Sequence, residues 1–324
     1  MSNLIQRQIL GTTPTAPPIS GFVSVWKTDN MGSPNDSGTN QIKLPLQNWG
    51  TYNFNVDWGD GSSNTITSYN QSEVTHTFPS AGTYTVTITG TINGFSFEGT
   101  WDPIYDRNKI ISITNWGPVH LGNFTGFDYA FYFNRCSNLN LNAVSDVLNT
   151  SSITNMEGML RYCTSLTSVN NINSWDVSNV IYMSQMFDNS PLFNSDISSW
   201  DVGNVNNMAN MFSYAAAFNQ NIGSWDVSNV QYLYAMFSYA TAFNQNLGSW
   251  NVSNVLYFND FMLGKTPSTF SASNLDAIYN GWSSRTVGSG KTISFGTAKY
   301  TSAGTAGRNI LTSTYGWTIT DGGI

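Results

Sequence analysis

Apolar residues recur along the middle of this chain with a period of 25 residues. Trp175, Trp200, Trp225 and Trp250 each open the same short phrase, WDVSNV, WDVGNV, WDVSNV and WNVSNV. With Met183, Met208 and Leu233 as first residue, the apolar columns are Met or Leu at position 1, Met-Phe at 4 and 5, Phe at 11, Ile or Leu at 15, Trp at 18, and Val at 20 and 23. One unit cannot close such a face on itself, whereas stacked copies turn each column into a continuous apolar ladder. Burial of each large side chain then contributes about 1.5–3 kcal/mol. The pattern predicts a solenoid, with Trp175, Trp200, Trp225 and Trp250 as a core column. Within each unit, Met-x-x-Met-Phe reads as a short helical or 3₁₀ turn. Phe-Asn-x-x-Ile/Leu reads as a short parallel strand. Asn179, Asn204, Asn229 and Asn254 never vary and are expected to form a ladder that satisfies backbone groups at a tight bend.

Weaker copies flank the strong ones. Met156, Met159-Leu160 and Leu166 fill the same columns, as do Tyr129, Tyr132-Phe133 and Leu139 one unit earlier; Phe258 and Phe261-Met262 begin a last unit that dissolves after Gly264. The prediction is a stack of about six coils over 129–264, with atypical ends that cap it. An N-terminal cap is expected over 101–128, with Ile111, Ile113 and Trp116 as its apolar residues. A C-terminal cap is expected over 265–324. It contains a helix marked by Leu275, Ile278, Tyr279 and Trp282, a β-like KTISFG, a short helix through Ala306, Arg308, Ile310 and Leu311, and a closing strand in YGWTITDGG.

Upstream the period is two. Phe22–Trp26, Tyr52–Val56 and Thr83–Ile88 alternate between apolar and polar residues, separated by turn chemistry such as Gly59-Asp60-Gly61. Residues 21–100 therefore read as an antiparallel β-sandwich. Residues 1–20, with Pro14, Pro17 and Pro18, read as an extended arm. The fold class is mainly β with short helical turns: an immunoglobulin-like sandwich followed by a repeat solenoid and a cap.

Charge narrows the function. The 324 residues carry 12 basic and 19 acidic side chains, and only 10% are charged, against roughly 25% in ordinary soluble domains. From Tyr162 to Gly264 there is no Lys or Arg, while six Asp are present. Such a surface repels phosphate backbones, so nucleic acid is not an expected partner. No stretch approaches the length of apolar chain needed to span a bilayer, and the recorded N-terminus has no apolar core of a secretory signal. Cys136 and Cys163 occupy equivalent columns, with Cα atoms expected about 5 Å apart, within disulfide reach. Column-equivalent side chains point the same way, so buried free thiols are the favoured reading.

Two segments resemble known families. VDWGDG at 56–61 followed by THTFPSAGTYTVTITG at 75–90 is similar to the polycystic-kidney-disease-type (PKD) domain. That likeness implies an immunoglobulin-like extracellular spacer or adhesion module. The WDVSNV phrases, the Met-Phe…Phe-Asn blocks and the terminal YGWTITDGG resemble the BspA-like leucine-rich-repeat surface proteins over roughly 105–324. In that family PKD-like domains and such repeats occur together on bacterial surface proteins, and the likeness implies binding and adhesion. The recorded sequence departs from the family in having neither a leader nor a C-terminal sorting segment, which favours a phage or virion setting.

Candidate chemistry is sparse. His76 and His120 have no partner at ligand spacing and read as structural or surface residues. Asp57 and Asp60 are a weak Ca²⁺ candidate; turn bonding is the favoured role. The Asp176, Asp201 and Asp226 column becomes Asn251 in the fourth copy, as expected of a turn group rather than an acid/base pair. Gly288-Ser289-Gly290-Lys291 is too short for a phosphate loop. Neither an enzyme nor a cofactor is expected. Recognition is expected where columns vary, and those are rich in tyrosine: Tyr182, Tyr232 and Tyr257 in one, Tyr214 and Tyr239 in another, and Tyr234. The strand column Ser195, Gln220, Gln245, with Asp196, Asn221 and Asn246, adds a polar ribbon.

The expected function is non-catalytic recognition of a host-surface protein or polysaccharide, displayed on a virion or cell surface. The alternatives are a virion decoration or fibre protein docked on a capsid or fibre through residues 1–20, and a secreted bacterial adhesin whose leader is missing.

Overall fold

The computed structural model describes residues 21–97, 106–122 and 130–324. The expected arm over residues 1–20, and Tyr129, lie outside the described residues. The protein is mainly β with few helices, and its large sheet is antiparallel apart from one short strand.

The N-terminal unit contains β1 (Phe22–Lys27), β2 (Gln41–Lys43), β3 (Leu46–Asp57), β4 (Ser63–Ile66), β5 (Thr75–Thr77) and β6 (Thr83–Phe95). Alternation sets each strand's faces: Tyr52, Phe54 and Val56 of β3 are buried, while Asn53, Asn55 and Asp57 face solvent. The sheet runs β4-β3-β6-β1-β7, with β8 (Val119–His120) pairing in parallel with β6. A two-stranded sheet of β2 and β5 faces it and adds Ile42 to the same core.

β7 (Ile110–Asn115) has two roles. It pairs antiparallel with β1 through Ser24↔Ile113 and Val25↔Ser112, and Ser112 also bridges in parallel to Asn140 of the first coil. The segment read from the sequence as a solenoid cap is therefore an edge strand of the sandwich that doubles as the first rung of the stack. Ile110, Ile113 and Trp116 are its buried residues, whereas Ile111 is only partly covered. A buried ion pair fixes this junction. Lys109 lies 3.1 Å from Asp106, and its ammonium donates to the carbonyls of Ser37, Gly38 and Gln41. Asp106 in turn accepts from the Ser37 N–H and hydroxyl and from the Lys43 N–H.

Across the strong coils the aromatic columns stack in register, and the phenylalanine column ends edge-on at Phe261. The rings of Phe187, Phe212 and Phe237 follow one another at 5.6 and 5.7 Å. Those of Trp175, Trp200 and Trp225 follow at 6.4 and 6.3 Å. Inside a coil, Phe187 stacks on Phe193 at 3.9 Å, and the next two coils repeat the pair.

The backbone differs from both expected elements. The parallel rung is the residue before position 1, running Asn155, Tyr182, Asn207, Tyr232, Tyr257. Phe-Asn-x-x-Ile/Leu forms no strand. Met-x-x-Met-Phe is not a continuous helical turn either, because its N–H groups divide between two directions. Those of Met183, Gln185, Phe187 and Asn189 donate to Asn207, Ala209, Met211 and Ser213 of the next coil, whereas Met186, Asp188 and Ser190 bond locally. Serving the neighbouring coil requires left-handed backbone at positions 3 and 7: Gln185, Asn210, Ala235 and Asp260 in one column, Asn189, Tyr214 and Tyr239 in the other.

The stack is closed at its far end by α1 (Ala272–Ser283), β9 (Thr292–Ser294), α2 (Thr305–Asn309) and β10 (Thr318–Thr320). Phe258 bridges to Ile293, and β10 pairs in parallel with β9 as the last rung. Ser271 caps α1, and Leu275, Ile278, Tyr279 and Trp282 form its buried face. The Trp282 Nε1–H donates to the Leu247 carbonyl and so extends the tryptophan column onto a helix. Lys265 occupies the column of Ala215 and Ala240. Its buried ammonium donates to the carbonyls of Ala240, Thr241 and Phe243, and burial lowers its pKa to about 7.

α1 sits against the last full coil at backbone distance. A Cβ on Gly281 would lie 2.0 Å from the Gly248 carbonyl oxygen. Gly281→Ala is expected to cost about 1–3 kcal/mol through overpacking against backbone, read as a lowered melting temperature.

Both cysteines are fully buried and free. Burial pushes both thiols above their ordinary range, and the Cys163 thiol also donates to the Phe133 carbonyl at 3.2 Å. Native protein at pH 8 is expected to resist alkylation at both positions, and denatured protein to accept two labels. Mass spectrometry after a timed iodoacetamide pulse checks this.

Candidate functional site

The invariant columns are occupied internally. The Nε1–H groups of Trp200, Trp225 and Trp250 donate to the carbonyls of Ile172, Ile197 and Ile222 at 2.8, 3.2 and 3.0 Å. Trp175 is buried with its Nε1 unpaired, edge-on to Trp116 at 6.5 Å. Asn179, Asn204, Asn229 and Asn254 each donate from Nδ2 to the carbonyl of Ser151, Ser178, Gly203 and Ser228 in the preceding coil.

The polar ribbon is occupied as well. The Oδ1 atoms of Asn194 and Asn219 accept the N–H of Asn219 and Asn244, and Gln220 and Gln245 donate to the Asn194 and Asn219 carbonyls. α1 continues the ladder, with Ser271 and Asn274 bonded to Asn244. Asn221 and Asn246 accept the N–H of Gly223 and Gly248, and Asp196 that of Ser198. In the ribbon expected to meet a ligand, Gln220 and Gln245 thus bind coil to coil, and Asp196, Asn221 and Asn246 close turns within their own coils.

The carboxylates are turn groups. Asp176, Asp201 and Asp226 accept the N–H of Ser178, Gly203 and Ser228. Hydrogen bonds from Ser178 and Ser228 hold Asp176 and Asp226 below the usual carboxylate range. Asp188 pairs with Arg161 at 2.8 Å, yet burial raises its pKa. In the sandwich, Asp57 and Asp60 accept the turn N–H groups of Gly59 and Ser62. Burial opposes ionisation of Asp60, but bonds from Ser62 and His76 outweigh it and hold the carboxyl at about 2. His76 stacks flat on Trp58 at 4.5 Å, and His120 is exposed on β8. Among the described residues, no group of three His, Cys, Asp or Glu is placed to hold a metal ion.

The tyrosines remain. Tyr257 is 50% exposed and Tyr214 48%, values that set them apart from the buried columns beside them. Tyr232 and Tyr257 stack at 5.3 Å with ring planes 12° apart, and Tyr214 and Tyr239 stack at 4.8 Å. Within each pair the facing ring surfaces cover each other, leaving outer faces, edges and hydroxyls for a ligand. Tyr232, Tyr234 and Tyr257 line one solvent-open depression of about 230 Å³ together with Ala235, Asn259 and Asp260. Tyr182 is not among its lining residues, since Asn207 stands between it and Tyr232 in the rung column. The Tyr214–Tyr239 pair is likewise absent from the lining.

Tyrosine enrichment points to this region in the sequence, but Asn259, Asp260 and Ala235 do not stand out there. The signal for them is the position-3 column, which reads Gln185, Asn210, Ala235, Asp260, with a small residue between two larger ones.

Comparison with known proteins divides the chain at the junction just described. Residues 24–94 match the PKD domain. Residues 127–196 and 163–277 match a family described as Mycoplasma protein of unknown function, DUF285. The PKD match falls on β1 to β6, and the DUF285 match covers the stacked coils and reaches into α1. No curated protein and no solved structure matches the chain. No helix among the described residues is long and apolar enough to cross a membrane. The PKD and DUF285 matches fit a non-catalytic, extracellular, adhesion-type protein.

Proposed function

We propose that the protein recognises a surface partner, a host protein or polysaccharide, without chemical turnover, and that it is displayed on a virion or cell surface. In this reading the PKD domain is a rigid base and the DUF285 region is a leucine-rich-repeat-type solenoid of the BspA-like kind. The observation that carries the proposal is the contrast between columns. The tryptophan and asparagine columns and most carboxylates of the repeats are buried or bonded within the fold, while Tyr214, Tyr239 and Tyr257 are exposed and Tyr232 is partly so. Tyrosine suits such a role because it offers apolar area and a polar tip at low entropic cost. The absence of Lys and Arg from Tyr162 to Gly264 favours neutral or basic partners over acidic ones.

A screen of the full chain against immobilised envelope polysaccharides and membrane-protein fractions tests this. Saturable retention on at least one fraction, insensitive to moderate salt, is the expected result. No retention on any of them counts against recognition as the function.

A further inference from the structure

We propose that the depression walled by Tyr232, Tyr234 and Tyr257 binds a single hexopyranose unit of a neutral or amino-sugar glycan. The inference rests on the recognition reading above and gives it a place and a ligand class.

The depression exists because of one small side chain. Position 3 is held in left-handed backbone in the three strong coils and in the last, weaker one, with φ of 57° at Gln185, 55° at Asn210, 51° at Ala235 and 59° at Asp260. An alanine pays for this conformation without the local hydrogen bonding that helps Asn and Asp tolerate it. With Ala235 between Asn210 and Asp260, the surface sinks by most of a side chain at this coil. The walls are aromatic carbon: the exposed Tyr257 ring stacked on Tyr232, and Tyr234 beside them.

The rim is polar and unused. The Tyr232 and Tyr257 hydroxyls, the Asn259 amide and the Asp260 carboxylate have no side-chain hydrogen-bond or ion-pair partner among the described residues. Asn194, Asn219, Gln220 and Gln245 of neighbouring coils, by contrast, are bonded from coil to coil. Flat apolar carbon with acceptors and donors at its edge complements a pyranose, which carries C–H groups on its faces and hydroxyls around its perimeter. A depression of about 230 Å³ is smaller than the roughly 300–1,000 Å³ of pockets that enclose drug-sized ligands. It is wide and shallow enough for one ring and offers no deep socket for an apolar peptide anchor. The unpaired Asp260 carboxylate, in a segment with no Lys or Arg from Tyr162 to Gly264, disfavours uronates and sialylated sugars and suits hydroxyls or an amine.

Ala235→Asn tests the site without threatening the fold, because Asn210 already occupies this column and Asn tolerates the left-handed backbone better than Ala. The full chain is titrated with cellohexaose, a chitosan hexamer, oligogalacturonate and an unstructured neutral peptide pool, and melting temperature is recorded alongside. The expected result is binding of cellohexaose or the chitosan hexamer but not oligogalacturonate. Ala235→Asn should weaken that binding about tenfold or more, a change of ~1.4 kcal/mol, with an unchanged or higher melting temperature. Asp260→Asn should selectively weaken binding of the chitosan hexamer. Equal sugar binding by wild type and Ala235→Asn, preference for oligogalacturonate, or binding of the peptide pool in place of sugars would each overturn the assignment. Retention on an envelope fraction that Ala235→Asn leaves unchanged sinks the pocket and spares the recognition reading. No retention of the wild-type chain on any fraction, together with no binding of any of the sugars, sinks both.

Discussion

Asp106→Ala is expected to destabilise the protein by about 3–5 kcal/mol, the range for breaking a buried ion pair from one side. The change leaves the Lys109 ammonium buried without a counter-charge. It also orphans the Ser37 N–H and hydroxyl and the Lys43 N–H, all of which end on the Asp106 carboxylate. The loop from Ser37 to Lys43 is held to β7 by these bonds, and β7 joins the sandwich to the stack. The damage therefore falls at the junction rather than within either unit. Urea unfolding followed by circular dichroism checks the magnitude, and a drop below about 1 kcal/mol contradicts the junction as described. The double variant Asp106→Leu, Lys109→Met is expected to recover part of the loss, since it removes both charges together.

Trp225→Ala carries the other large effect, about 3–5 kcal/mol for deleting a buried tryptophan side chain. A further ~1–3 kcal/mol arises if the Ile197 carbonyl is left without the indole N–H. Trp225 is 4% exposed and lies 6.3 Å from Trp200 with nearly parallel rings, so the cavity opens on both neighbouring coils. Stability in a stack is close to a sum of units and interfaces, and a defect in a central coil touches two interfaces. Hydrogen exchange should show faster exchange in the coils on either side, while the sandwich strands keep their protection. Tyr214→Ala, outside the core, is expected to change stability by less than about 1 kcal/mol.

These contrasts explain what the sequence shows and what it hides. The 25-residue period is legible because each coil must repeat the last for Phe187, Phe212 and Phe237 to stack in register. β3 and β6 are legible because their alternation matches the pleat, β1 because its apolar run is buried on both faces, and α1 because Leu275, Ile278, Tyr279 and Trp282 share a helical face. The coil backbone is not legible. Apolar spacing in Met-x-x-Met-Phe fits a helical turn, but competition between local and inter-coil acceptors decides the dihedrals. The left-handed positions are held by Gln, Asn, Ala, Asp and Tyr, with no glycine in the strong repeats to mark them.

Long-range polar pairing is hidden for a similar reason. Nothing near Lys109 in sequence shows that it will reach Ser37 and Gln41, nor does Gln220 announce that it is spent on Asn194. Of the candidate site, the tyrosines are visible as residues that vary within a constant frame. Their grouping is not: Tyr232, Tyr234 and Tyr257 come together around Ala235, whereas Tyr182 stands apart.

The central claim is that constant columns hold the fold while exposed tyrosines meet the partner. The most direct measurement is retention of the Tyr232→Ala, Tyr257→Ala double variant on the envelope fraction that retains the wild-type chain, with melting temperature recorded on the same samples. The prediction is retention reduced about tenfold or more with a melting temperature shifted by no more than about 3 °C. Undiminished retention by a double variant that remains folded would contradict it.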